Sequence, residues 1–147
     1  MAKDRSRGKV KARKENIREE RKVLGNRELL TFSFKFLDQT QPKGKEETIT
    51  LWEGKGLLKS LINRLKELSV LTREEAFSQK QLKNYGDFPP RDKTDFFHPE
   101  HVEKNVAWGV IEGIGGLPRV AGFIQENTFY IVFLDSNHRF WISSFGK

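Results

Sequence analysis

The 147-residue sequence predicts an α+β fold: an antiparallel β-sheet with two helices packed on one face, preceded by a basic N-terminal arm. Three observations support this class. An alternating run of aromatic residues opens the domain, leucines recur at helical spacing in its middle, and apolar runs separated by short turns close it. A strand region, then helices, then a meander of strands is the order expected of an antiparallel sheet covered by helices on one side.

Composition limits the classes of protein that fit. A hydrophobic content of 36% in 147 residues is enough for one packed core of ordinary size. The sequence has no cysteine, which excludes disulfides, thiol nucleophiles and thiolate metal sites. No apolar run approaches the roughly 20 residues of a membrane span, and the basic start has no apolar segment behind it. We therefore expect a cytoplasmic protein that does not associate with membranes.

The positive charge is concentrated at one end of the chain. Residues 1–27 hold eleven Lys or Arg and four acidic residues, which accounts for the whole net charge of +7. Residues 28–147 hold sixteen of each sign and are neutral. The sequence thus predicts a basic arm over residues 1–27 and a single neutral α+β domain over residues 28–147.

The arm itself divides into two parts. Residues 1–14 are almost without apolar side chains and cannot bury enough surface to offset their ordering entropy, so alone they should be disordered. Residues 15–24 carry Glu and Lys or Arg at helical spacing and predict a short helix that needs a partner. Such an arm is typical of an anchor on nucleic acid, and the alternatives are docking on a protein or solubilisation. The predicted phosphate contacts are Lys3, Arg5, Arg7, Lys9, Lys11, Arg13 and Lys14.

Two strands are predicted at the start of the domain. Phe32, Phe34 and Phe36 alternate with polar residues, so all three should lie on one face of a strand within residues 29–39. Turn residues follow, and residues 47–53 predict a second, shorter strand that could complete a hairpin.

Two helices are predicted next. The apolar residues between Leu57 and Leu68 form a continuous stripe at helical spacing. Thr72 and Glu75 have the spacing of a capping box, and we expect the helix that they begin to run towards Asn84 and to end before Gly86.

An irregular stretch and a strand meander complete the chain. Residues 83–101 contain glycine, three prolines and scattered charges, and a connection of this length is often functional. Strands are predicted at residues 105–113, 119–125, 128–135 and 139–143. Residues 129–134 are apolar on both faces, which predicts a central strand covered on both sides.

The histidines in the irregular stretch do not make a convincing metal site. His98 and His101 flank a Pro-Glu pair, and a zinc site needs further ligands that must come from His or carboxylates. Hydrogen-bonded loop histidines are the favoured interpretation, and we predict no metal and no other cofactor.

A basic and aromatic set on the last strands is the candidate site. If residues 119–124 pair antiparallel with 129–134, Arg119 lies near Asp135 and so beside the turn that carries His138. Arginine can hold a phosphate and histidine can exchange a proton near neutral pH, a combination that suits cleavage of RNA by its own 2′-hydroxyl without a metal. Arg119 and His138 are the predicted catalytic residues, supported by Tyr130, Arg139 and Trp141. The alternative is structural: Arg119 pairs with Asp135 and His138 closes a turn.

The C-terminal stretch resembles the signature of a group of small uncharacterised bacterial proteins. That signature runs Gly-Arg-Val-His-Gly, then Phe-Tyr-Ile-Val-Trp-Leu-Asp, then a histidine three residues on and a final aromatic residue. Ala121 stands here at the histidine of the first motif and Pro118 at its first glycine. The matching residues are Arg119, Val120, Gly122, Phe129, Tyr130, Leu134, Asp135, His138 and Trp141.

The order of predicted elements also resembles the RelE/ParE-type toxin fold. That resemblance implies messenger RNA cleavage on the ribosome or poisoning of gyrase, but a shared topology does not carry function by itself. The expected function is an RNA- or ribosome-directed toxin-type protein, with a metal-independent endoribonuclease as its catalytic form and an antitoxin-like protein as a further partner. The alternative is an accessory module that binds nucleic acid or protein without catalysis and uses its basic arm as an anchor.

Overall fold

The computed structural model of the protein describes residues 29–142. In chain order these residues form β1 (Thr31–Ser33), α1 (Ile49–Gly54), α2 (Leu57–Leu68), α3 (Arg73–Ser78), β2 (Leu82–Gly86), a 3₁₀ turn (Arg91–Lys93), β3 (Ala107–Ile111), β4 (Arg119–Gln125) and β5 (Thr128–Asp135).

The strands form one five-stranded sheet in the order β1-β5-β4-β3-β2. The α+β class is confirmed, but the sheet is mixed and not purely antiparallel. The β1 strand runs parallel to β5, whereas the other three pairs are antiparallel. A parallel pair needs a long connection between its strands, and here nearly the whole described chain separates β1 from β5.

The described residues contain three helices and not two, because the predicted second strand is a helix. Thr48 caps α1: its hydroxyl accepts a hydrogen bond from the backbone N–H of Leu51 at 3.0 Å. Trp52 lies in the middle of α1 and is completely buried. Capping and burial of one large side chain outweigh the weak strand preference of the β-branched residues around Ile49. The predicted hairpin is therefore wrong.

The three phenylalanines of the first strand do not share one environment. The β1 strand ends at Ser33 and a turn follows, so the alternation stops before Phe36. Phe32 packs on the helix side of the sheet, Phe36 packs on the other side, and Phe34 is 47% exposed. The common face predicted for them is wrong for this reason.

The leucine stripe and the capping box are confirmed. The stripe forms α2, and Thr72 and Glu75 exchange both hydrogen bonds of a capping box at the start of α3. However, α3 ends at Ser78 and does not run on towards Asn84. Lys80 adopts a left-handed backbone with φ of 58°, and the chain then enters β2. The pairing of β2 with β3 provides hydrogen-bond partners for the backbone N–H and C=O groups of β2.

The sheet is buried on both faces. On one face the helices pack against what we call the helix-side core, and β5 contributes residues to this core and to an aromatic core on the opposite face. This confirms that residues 129–134 are a central strand covered on both sides. The helix-side core includes Trp52, Leu61, Leu68, Ala76, Ile111, Val120, Ile124, Phe129, Ile131 and Leu134, and the aromatic core includes Phe96, Trp108, Phe123, Val132, Phe133 and Phe140.

Irregular backbone covers the aromatic face. Phe96 from the stretch after β2 and Phe140 from the chain after β5 are both buried there. The two segments hydrogen-bond to each other, since the Asp95 N–H donates to the Arg139 carbonyl at 3.0 Å and the Ile142 N–H to the Lys93 carbonyl at 2.7 Å. The strand predicted from residue 139 is therefore absent over residues 139–142, which pair with a loop and not with the sheet.

Over residues 29–142, the three helices are too short and not apolar enough for any of them to span a lipid bilayer.

Candidate nucleic-acid interface

Charged side chains from three strands meet at one end of the sheet, on the aromatic face. Leu82, Ile111 and Val120 point into the helix-side core, so by strand alternation their neighbours Lys83, Glu112 and Arg119 lie on the opposite face. The register places Ile111 opposite Val120 and Lys83 opposite Val110, which brings all three charges to the same end. The residues that we call the basic corner are Lys83, Glu112, Arg119, His138, Tyr85 and Trp141.

Glu112 lies between the two cations. Its Oε1 atom is 3.0 Å from Lys83 Nζ and 3.3 Å from Arg119 Nε, so one carboxylate oxygen serves both ion pairs. Burial raises the pKa of Glu112, but the hydrogen bond and charge of Lys83 together with Arg119 outweigh burial and hold this pKa below its usual value. Glu112 is therefore ionised at neutral pH.

The Arg119 side chain forms its hydrogen bonds with its own loop. Its Nη1 donates to the carbonyl oxygens of Gly116, Leu117 and Pro118, and its side chain is only 16% exposed. Its Nε is buried and makes no hydrogen bond of good geometry, although it is close to Glu112. The guanidinium group thus organises the turn between β3 and β4 and contributes charge to the corner.

His138 lies in the turn that follows β5, with a left-handed backbone at φ of 58°. The completely buried Asp135 holds this turn, because its carboxylate accepts hydrogen bonds from the N–H groups of Arg139 and Phe140, both at 2.8 Å. Arg119 and Asp135 are opposite each other in the register, as the sequence predicts. They do not pair through their side chains, however: Asp135 binds backbone N–H groups and Arg119 approaches Glu112.

The electrostatic surroundings of His138 favour its neutral form. Partial burial lowers its pKa, and the positive charges of Arg119 and Lys83 lower it further against the opposing effect of Glu112. A histidine that stays neutral at pH 7 can accept a proton from a ligand.

An aromatic pair forms the side of the corner. The rings of Tyr85 and Trp141 stack with 4.4 Å between centroids and 7° between planes. Burial raises the pKa of Tyr85, so its hydroxyl stays protonated near neutral pH. Both side chains are half-buried, which leaves part of each ring accessible.

Two residues of the predicted site lie elsewhere. Tyr130 is opposite Phe123 in the sheet and packs on Phe36 and Phe123. It is five residues along β5 from the position opposite Arg119, about 15 Å away at the rise of a strand. Arg119, His138 and Trp141 are brought to one corner, but Tyr130 is not.

Arg139 points towards a different part of the surface. Its guanidinium forms a two-point ion pair with Asp95, with N–O distances of 2.6 and 3.3 Å. Both residues line a cavity of about 370 Å³ whose other lining residues are Pro42, Lys45, Glu47 and Asn137.

The predicted arm contacts, from Lys3 to Lys14, lie outside the described residues and stay predictions. His98 and His101 are within the described part and bind different groups: His98 Nδ1 is 3.0 Å from the Pro99 carbonyl, and His101 Nε2 is 2.9 Å from the Phe36 carbonyl. Residues 29–142 contain no group of three His, Asp or Glu side chains that could hold a metal ion.

Three residues of the corner were missed by sequence analysis. Lys83 and Tyr85 were assigned to a helix end and an irregular stretch, because the five-residue edge strand β2 has too few apolar residues to show a strand pattern. Glu112 follows a recognisable buried strand directly, and its position at a strand end was the one signal available.

Comparisons of the chain with protein-family models, curated proteins and solved structures give no match. The resemblances to the bacterial signature and to RelE/ParE-type toxins therefore stay expectations from the sequence.

Proposed function

We propose that this protein is directed at RNA or a ribonucleoprotein and binds it through the basic corner, with the arm of residues 1–27 as an electrostatic anchor. The observation that carries the proposal is the juxtaposition of Lys83 and His138 with the stacked rings of Tyr85 and Trp141 on one face of the sheet. Proteins that bind single-stranded nucleic acid combine cations that contact phosphates with aromatic rings on which bases stack.

The two parts contribute differently. The arm carries the whole net charge of the chain and supplies a salt-dependent affinity that is independent of sequence. The domain has no net charge. The corner therefore contributes to RNA binding by positioning the RNA and by base stacking, more than by electrostatic attraction.

Cleavage of RNA in the manner of a toxin is a second candidate function, favoured by one observation. His138 is held neutral beside two cations, which suits a general base. It would take the proton of a 2′-hydroxyl whose oxygen attacks the adjacent phosphorus, while the leaving 5′-oxygen takes a proton from water and a cyclic phosphate remains. Binding is better supported than cleavage, because the Nη1 of Arg119 is already occupied by backbone carbonyls.

Binding is tested with a fluorescently labelled single-stranded RNA, by anisotropy over a range of salt concentrations. Deletion of residues 1–22 should weaken binding and flatten its salt dependence. Tyr85→Ala should weaken binding roughly tenfold with the salt dependence unchanged. Lys59→Ala, which removes an exposed cation on the helix side of the sheet, is the control and should have little effect. Equal affinities for the wild type, the deletion and Tyr85→Ala would disprove the proposal.

Cleavage is tested by incubating the RNA with the protein in EDTA and analysing the products. His138→Asn is the suitable variant, because asparagine tolerates the left-handed backbone at this position better than alanine does. Loss of a general base reduces the rate by roughly 100-fold or more. Equal cleavage by wild type and variant would exclude His138 as the base, and no cleavage by the wild type would leave binding as the function.

A further inference from the structure

Glu112 occupies the place in the basic corner that an anionic ligand would take. A single carboxylate oxygen lies within 3.3 Å of a lysine nitrogen from β2 and an arginine nitrogen from β4, on opposite sides of β3. Two cations that converge from the strands on either side of β3 suit the binding of a phosphate oxygen. We propose that Lys83 and Arg119 form a site for one phosphate group and that Glu112 is a built-in competitor that occupies the site in the free protein. This inference rests on the proposed function for the identity of the ligand as an RNA phosphate.

Neither cation depends on Glu112 for the position of its backbone. Arg119 is held through its Nη1 by three carbonyl groups of its own loop, a contact that does not involve the carboxylate. Lys83 is fixed at its backbone by the pairing of β2 with β3. The Arg119 side chain therefore stays in position when the Glu112 side chain leaves, and the Lys83 side chain, which is 46% exposed, can reach a ligand from a fixed backbone.

Glu112 is also free to leave. Its backbone is clamped from the helix side, where Arg64 Nε donates to the Glu112 carbonyl at 2.7 Å and Arg64 Nη2 donates to Gln81 Oε1 at 2.7 Å. Its side chain is 30% exposed, so the carboxylate can turn into solvent while the backbone stays in position.

A second observation concerns the hydrogen bonding of Arg119 Nε. This atom is buried and makes no hydrogen bond of good geometry, although Glu112 Oε1 lies 3.3 Å from it and also binds Lys83. Leaving a buried donor without a well-formed hydrogen bond is unfavourable, so a ligand that completes this bond gains affinity. A phosphate offers several oxygens in different directions and can serve both cations, which one carboxylate oxygen does poorly.

The location of the site links it to the aromatic pair. The charges of Lys83, Glu112 and Arg119 all act on Tyr85, and those same charges act on His138. A phosphate held here would therefore place the attached nucleotide beside the stacked rings of Tyr85 and Trp141. An RNA phosphate must displace the Glu112 carboxylate from Lys83 and Arg119 before it can bind. This competition limits the affinity of the site for weakly bound anions.

The test uses the full chain and inorganic phosphate as the probe, followed by titration of the His138 ring protons by NMR. Glu112→Gln removes the competing charge and keeps the size of the side chain. It should raise phosphate affinity roughly tenfold, equivalent to about 1.4 kcal/mol, and phosphate should then shift the His138 titration to higher pH more strongly than in the wild type. The double variant Glu112→Gln with Lys83→Ala should lose this gain.

Glu103→Gln is the matched control, because it removes the same charge from an exposed loop residue and should leave phosphate affinity unchanged. Glu112→Asp, which keeps the charge and shortens the side chain, should raise phosphate affinity by a smaller factor and provides the measurement if Glu112→Gln does not fold. Equal phosphate affinity in wild type, Glu112→Asp and Glu112→Gln, or an equal gain in Glu103→Gln, would overturn the inference.

RNA binding by the same variants separates this inference from the proposed function. If Glu112→Gln binds phosphate more tightly but RNA no more tightly, the anion site stands and RNA is not its ligand. If the variant gains affinity for neither, the anion site is wrong, whereas RNA binding is judged on Tyr85→Ala and the arm deletion.

Discussion

The ring of Trp141 lies flat against the ring of Tyr85, with 4.4 Å between their centroids. This contact joins the edge strand β2 to the chain that follows β5, two segments 56 residues apart in the sequence. Because the pair also borders Lys83 and Arg119, it is the surface on which a base would stack in the proposed RNA complex.

Binding of RNA should therefore change the fluorescence of one tryptophan. Trp52 and Trp108 are completely buried, whereas Trp141 is half-buried. We expect single-stranded RNA to quench the tryptophan emission of the wild type and to leave the emission of Trp141→Phe nearly unchanged. Quenching of equal size in both proteins would place the contact elsewhere.

Gly122 is predicted to tolerate no side chain. A Cβ atom at this position would lie 1.9 Å from the Tyr130 carbonyl oxygen and 2.9 Å from the Phe129 ring. The first clash is with backbone, so Gly122→Ala should lower the free energy of unfolding by about 3 kcal/mol or more. Chemical denaturation measures this loss.

Gly54→Ala is the control for that substitution. It lies at the end of α1, where a Cβ would meet nothing within 4 Å, so the change should be neutral or slightly stabilising. A similar loss in both variants would mean that the close approach of β4 and β5 at Gly122 is not the cause.

Arg119 should also have a structural role in the turn between β3 and β4. Arg119→Ala removes the donor to the carbonyl groups of Gly116, Leu117 and Pro118, and should lower the free energy of unfolding by about 1 kcal/mol. Amide exchange within residues 113–118 should become faster. Arg119→Lys keeps the charge but not the planar fork, and should show the same faster exchange. Unchanged exchange in both variants would contradict this role.

Stability should depend on pH through Asp135. Burial raises its pKa to about 6, the N–H groups of Arg139 and Phe140 oppose this rise, and the negative charge of Glu47 adds to it. The folded pKa lies above the unfolded value of 3.8, so the stabilisation from a protonated Asp135 is complete below pH 3.8 and is lost as the pH rises through 6.

The comparison of wild type with Asp135→Asn isolates this effect, because asparagine does not titrate and His138 titrates in both proteins. From pH 4 to pH 7 the wild type should lose about 3 kcal/mol of unfolding free energy relative to Asp135→Asn. Urea denaturation at each pH gives the difference. A difference that is constant with pH, or that moves in favour of the wild type, would refute the raised pKa.

The sequence by itself determined the elements whose signals are local and strong. The leucine stripe that forms α2 and the capping box of Thr72 and Glu75 require no knowledge of distant residues, since their spacing within one helix is the signal. The three apolar runs that form β3, β4 and β5 are long enough to specify strands. Their antiparallel pairing then brought Arg119 to the end of the sheet near His138.

Only the tertiary structure decided the elements whose signals are weak or non-local. Residues 49–54 became a helix because Trp52 finds a buried place in the helix-side core, and residues 82–86 became a strand because β3 offers an unpaired edge. The charges around Arg119 were also beyond the sequence. Glu112 and Lys83 come close to it through the register of three strands, and the ion pair of Lys83 with Glu112 joins side chains 29 residues apart, which leaves no periodic trace in the chain. Local patterns record which surfaces a segment must bury, whereas the choice among possible partners depends on which surfaces the rest of the fold presents.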